Sequence, residues 1–117
     1  MSATYDPSIN PHNRTVRVER HPGSSSIAVI VIDNPPVNAG SHEVRAGLNA
    51  AIDVISADPQ ITGAVLVGAG STFVSGSDIK EFSLPLMDPQ MPAVIAALEA
   101  CPKPIVAAIH GAALGGG

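Results

Sequence analysis

The sequence has one cysteine, Cys101, no tryptophan, one tyrosine and two phenylalanines in 117 residues. A lone cysteine excludes an internal disulfide and fits a reducing compartment. Scarce aromatics leave a core of Val, Ile, Leu and Ala, and no platform on which nucleobases could stack. Basic residues are few as well: 6 Lys and Arg stand against 10 Asp and Glu, for a formal net charge of −4. Arg14, Arg17 and Arg20 lie near the N-terminus and no later stretch forms a basic stripe, which argues against a nucleic-acid partner. No apolar run approaches bilayer length, and MSATYDPSINPHNR lacks the apolar centre of a signal peptide. The expectation is a protein of the cytoplasm or another reducing compartment, with no membrane partner. His12, His21, His42 and His110 show no H-E-x-x-H or paired metal spacing, so no metal site is expected.

Hydrophobic residues make up 45% of the chain and charged ones 14%, a balance that folds rather than stays disordered. The 11 Pro and 11 Gly fall between periodic segments and punctuate them. Residues 1–13 are polar and turn-rich and read as a flexible lead-in to a domain over 14–117. TVRVER (15–20) alternates as a half-buried strand with a solvated arginine face, and IAVIVI (27–32) reads as a buried strand. Ser41 can cap a helix with Glu43 in its first turn and an apolar face of Val44, Leu48, Ala51, Ile52 and Ile55. AVLV (64–67) reads as a third strand. Asp78 with Glu81 spells a capping box for a short helix. Met91, Val94, Ile95, Leu98 and Cys101 mark a second helix, with Pro92 tolerated in its first turn. PIVAAIH (104–110) is then expected to be a buried strand, with His110 closing it in a hydrogen-bonded packing role. The predicted order is β-β-α-β-α-α-β, an α/β chain.

Three local patterns invite chemistry and are weak alone. VGAGST resembles the start of a G-x-G-x-x-G dinucleotide loop, but Phe73 stands where the third glycine belongs. Ser77 to Lys80 spells S-x-x-K without the companion motifs of a serine acyl-enzyme. Cys101 ends an apolar helix face and reads as a small core residue. The more specific constellation is a pair of glycine loops, FVSGSDIK and HGAALGGG, each following an apolar strand. Reactions that build negative charge on a carbonyl oxygen need two convergent N–H donors in a dry pocket. Bare glycine backbone lets a ligand approach closely, and an amide at a helix N-terminus gains from the dipole.

These two loops carry a resemblance. STFVSGSDIKEF resembles the F-x-A-G-A-D-I-K-E loop of the enoyl-CoA hydratase/isomerase, or crotonase, superfamily, with Ser75 and Ser77 in place of its two alanines. KPIVAAIHGAALGGG is similar to the superfamily's K-P-x-I-A-A-x-x-G-x-A-L-G-G-G segment, and IDNPPVNA and AVLVGAG extend the agreement across residues 15–117. The wording looks most like the N-terminal hydratase/isomerase part of bifunctional enzymes that also carry a 3-hydroxyacyl-CoA dehydrogenase. The resemblance implies a crotonase-like ββα spiral, of which this chain is the incomplete N-terminal half, cut at the GGG loop.

It further implies an acyl-CoA thioester substrate of fatty-acid β-oxidation, held by an oxyanion hole made of the Ser77 and Gly116 N–H groups. Ser75, Gly76, Asp78, Ile79, Lys80 and Gly115 would line the substrate, and Lys80 and Lys103 could meet the phosphates or adenine end of coenzyme A. No cofactor is expected in this segment; NAD would enter only with a dehydrogenase half. The superfamily's acid–base carboxylates would fall beyond Gly117, so the chain alone is expected to bind acyl-CoA weakly and to hydrate nothing. Its open core predicts association, and the whole domain would form trimer-type homo-oligomers. Two alternatives stay open: a non-catalytic crotonase-like interaction protein, and a dinucleotide-binding module built on VGAGST.

Overall fold

A computed structural model describes residues 4–5 and 13–117. Among the described residues five strands form one sheet in chain order: β1 (Thr4–Tyr5), β2 (Val16–His21), β3 (Ser24–Ile32), β4 (Gly63–Gly68) and β5 (Ile105–Ala107). β1, β2 and β3 pair antiparallel, and β3, β4 and β5 run parallel. Helix α1 (His42–Ala57) carries the chain from β3 to β4, and α2 (Met91–Ala100) precedes β5. A parallel pair demands such a crossover, whereas β2 and β3 need only the turn at Pro22-Gly23. Of the lead-in expected over residues 1–13, Thr4–Tyr5 form a strand beside Arg20 and Glu19, and residues 1–3 and 6–12 lie outside the described residues.

α1 forms where the sequence places it. Ser41 caps it by accepting from the Val44 N–H, and all five residues of the expected face are buried. Gly47 is buried with them because a Cβ there would fall 2.8 Å from Val16, so the helix rests directly on β2. The core lies between this helix and the sheet, with Val16, Val18, Ile30, Ile32, Ile55 and Ile61 at its centre. Arg17 bonds Glu19 and Asp33, and Arg20 bonds Asp58 at the end of α1, so these arginines are ion-paired rather than simply solvated. Burial opposes the Arg17 charge, yet the hydrogen bonds and negative charges of Glu19 and Asp33 outweigh it and raise its pKa.

Three expectations fail toward the C-terminus. The strand over 104–110 shrinks to Ile105–Ala107, and Val106 is 62% exposed, because among the described residues β5 has a neighbour on one edge only and α2 covers little of it. Within α2 only Val94 is buried, while Leu98 and Cys101 are half-buried; Cys101 shares a hydrogen bond with Ser56. His110 makes the expected hydrogen bond, donating from Nε2 to Gly70 O over 2.7 Å, but lies beyond the strand on the surface instead of packing inside. No helix among the described residues is long and apolar enough to cross a membrane.

Candidate active site

The two glycine loops meet beyond the carboxyl ends of β4 and β5. Val74 and Ala113 form a parallel bridge, the Phe73 N–H donates to Ala112 O over 3.0 Å, and the Leu114 N–H donates to Val74 O over 3.0 Å. Gly76 takes φ +114° and Gly115 φ +56°, values that side chains disfavour. A Cβ on Gly115 would stand 3.6 Å from Gly76 Cα, so bare backbone faces bare backbone where the loops touch. The Gly117 N–H turns back onto Leu114 O over 2.8 Å. Among the described residues, no hydrogen bond engages the N–H of Ser77 or of Gly116.

Three further residues shape this place, none of them assigned to a site by the sequence reading. The Gly40 N–H donates to Gly76 O over 2.7 Å, which ties the loop after β3 to the one after β4. Asn38, buried at φ +52°, donates to Ala69 O and Thr72 O and accepts from the Asn34 N–H. An Asn after Pro-Pro is the available signal, since Asn tolerates the left-handed region better than most residues. Met91 lies between the loops: its side chain comes within 2.6 Å of a Cβ built on Gly40 and 2.9 Å of one built on Gly116.

The remaining expected site residues divide by position. Ser75, Asp78, Ile79 and Lys80 border a cavity of about 400 Å³ with the loop at Pro35 and Pro36. Ser77 borders that cavity and also one of about 260 Å³ beside Arg45 and Glu81. Gly116 borders a different, apolar cavity of about 260 Å³ among Leu48, Leu66, Phe73 and Val94. Lys103 goes elsewhere: its ammonium donates to Ile55 O and Asp58 O at the C-terminal end of α1, where the carbonyls and the dipole attract a cation. It is not disposed toward a phosphate.

The expected capping box is half made. Asp78 accepts from the Lys80 N–H, but Glu81 reaches away to the His42 N–H and to Arg45. The helix that Asp78 opens is a five-residue 3-10 turn, Ile79–Ser83, too short to supply the dipole expected beside Ser77. The turn after β4 likewise leads into no helix: Gly68 is closed over by Phe73 O and Thr72 O, within 2.8 Å of a built Cβ. A dinucleotide loop needs a helix N-terminus at that point, and VGAGST lacks it.

A profile of enoyl-CoA hydratase/isomerase matches residues 22–117. The chain belongs to the enoyl-CoA hydratase/isomerase family. It is 45% identical over 92 residues to a peroxisomal bifunctional enzyme of Danio rerio, covering 79% of this chain and 13% of that enzyme. It is 39% identical over 98 residues to a probable enoyl-CoA hydratase of Bacillus subtilis, covering 78% of this chain and 38% of the relative. Among solved structures, an enoyl-CoA hydratase from Bacillus anthracis superposes with a TM-score of 0.77 at 25% identity, over 89% of this chain and 43% of that one. An enoyl-CoA hydratase/carnithine racemase from Magnetospirillum magneticum gives 0.72 at 33% identity, over 87% and 41%. This enoyl-CoA hydratase/isomerase chain thus has the crotonase-like α/β fold and spans about two fifths of the length of those two structures.

Proposed function

We propose that the two loops bind the thioester carbonyl of a 2-enoyl-CoA, with the Ser77 and Gly116 N–H groups as donors to its oxygen. The reading is supported by one observation above all. The loops are locked to each other by backbone hydrogen bonds while these two N–H groups have no acceptor among the described residues. Donors fixed in advance stabilise the enolate that forms as water adds or the double bond shifts, and losing one donor from such a site typically costs about 3 kcal/mol of barrier. The contact at residue 77 is through backbone, so its serine side chain is dispensable. Lys80 is exposed, and its ammonium has no bonding partner among the described residues, which suits it to the phosphates of coenzyme A.

Binding and turnover separate in this proposal. Asp78 and Glu81, the carboxylates nearest the loop, already accept structural hydrogen bonds, so neither handles water. The role of this chain is charge stabilisation within fatty-acid β-oxidation chemistry, and a 3-hydroxyacyl-CoA dehydrogenase half, with its NAD, belongs to the same proposal as a partner domain.

The test is a titration of the 117-residue chain with 2-butenoyl-CoA and with free coenzyme A, beside a turnover assay. The thioester should bind more tightly than the free thiol, Ser77→Ala should match the native chain, and Gly116→Val, whose side chain strikes Met91, should lose that preference. Equal binding of thioester and thiol would sink the oxyanion reading and favour a non-catalytic role. Turnover above a no-enzyme blank would show that this chain does supply acid–base groups.

A further inference from the structure

Among the described residues, Arg45 is the one buried charged residue. It is 8% exposed and sits in the first turns of α1, where the helix dipole disfavours a cation. Its neighbours Val44 and Leu48 are simple core residues, and an apolar side chain would continue that face. The guanidinium instead collects four acceptors from three separate segments. Nη1 donates to Gly40 O over 2.8 Å and to Glu81 Oε1 over 3.1 Å; Nε donates to Pro89 O over 2.7 Å, and Nη2 to Met87 O over 3.3 Å. Glu81 uses its other oxygen to accept the His42 N–H over 2.7 Å. The planar fork of arginine can span these acceptors together, which a lysine cannot.

The consequence reaches Ser77 through one residue. Gly40, whose carbonyl Arg45 holds, donates its N–H to Gly76 O. Gly76 O and the Ser77 N–H belong to the same trans peptide unit and therefore point in opposite directions. Whatever fixes the Gly76 carbonyl fixes the direction in which the Ser77 N–H points. A hydrogen bond accepted by that carbonyl also polarises the peptide and strengthens the N–H at its other end as a donor. Gly76 itself, at φ +114°, has no side chain to hold the plane in place.

We propose that Arg45 is a positioning residue for the thioester contact: by holding Gly40 in place it orients the Gly76–Ser77 peptide, which the Gly40 N–H bonds. Arg45 acts on the contact proposed above and so depends on that contact existing. The probe is 2-butenoyl-CoA labelled with carbon-13 at its carbonyl, bound to the full chain and read by isotope-edited infrared spectroscopy. Donation by two N–H groups moves the carbonyl stretch to lower frequency in the native complex. Arg45→Met, shown folded by circular dichroism, should still bind the thioester but lose most of that shift, and Arg45→Lys should recover part of it.

A folded Arg45→Met with the native shift overturns the role of Arg45 while leaving the thioester contact intact. Should Arg45→Met not fold, Arg45→Lys decides by the same readout: a reduced shift supports the role and a full native shift overturns it. Absence of any shift in the native complex removes the thioester contact itself, and the role of Arg45 with it. A residue that merely stapled loops for stability would lower the melting point without moving the carbonyl band of the folded variant.

Discussion

The part of the molecule built on β2, β3, β4 and α1 keeps its Ile and Val buried or half-buried, whereas the part built on α2, β5 and the terminal loop leaves most of them in solvent. Ile30 and Ile55 are fully buried, while Val106, Ile109 and Leu114 are each more than half exposed. Both parts contain short, β-branched, apolar strands. The difference lies in neighbours: β3 is flanked by β2 and β4 and lies beneath α1, but among the described residues β5 pairs with β4 alone. Burial belongs to the company a strand keeps. The candidate site draws on both parts, with Gly76 and Ser77 from the packed side and Gly115 and Gly116 from the open one.

The comparison breaks most readily at its buried end. Ile30→Ala should lower unfolding free energy by about 2–5 kcal/mol, because the cavity it leaves adds to the lost transfer energy; a denaturant midpoint close to native would contradict the packing described. Lys103→Met comes next, at about 1–2 kcal/mol, since it strips charged hydrogen bonds from the carbonyl end of α1. Lys103 is contributed by the open part and serves the packed one, so an unchanged stability would uncouple the two. Ser41→Ala removes the cap that accepts the Val44 N–H and should cost about 1 kcal/mol, visible as earlier hydrogen exchange in the first turn of α1. The smallest effect belongs to Val106→Ala, within about 0.5 kcal/mol as for other solvent-facing changes. A loss as large as that at Ile30 would show that β5 is covered in solution.

Much of the loop geometry of the candidate site was legible in the residues because its determinants are local. The two glycine loops could be marked from strand–glycine succession, and Gly76 and Gly115 do adopt the left-handed backbone for which glycine is suited. Lys103 was misread because a lysine after Cys-Pro looks solvent-bound until the carbonyls of α1, more than forty residues back, are placed beside it. Arg45 was passed over for a related reason: on a helical wheel it merely interrupts an apolar face. Glu81 fits a capping box by spacing, yet a guanidinium offers a carboxylate a stronger partner than a single N–H does.

The sequence by itself determined the elements whose causes lie within a turn or two of chain. α1 with its Ser41 cap and its one apolar face is such an element, as are the alternating strands β2 and β3 and the glycine turns. Tertiary structure alone decided which apolar strands are covered and that Gly40 bonds the loop before Ser77. It also decided that one buried arginine gathers Gly40, Glu81, Met87 and Pro89. Helix periodicity and capping act over three or four residues and are written into short words of sequence. Pairing of backbone groups thirty or more residues apart depends on how the sheet stacks its strands, and no local word encodes that.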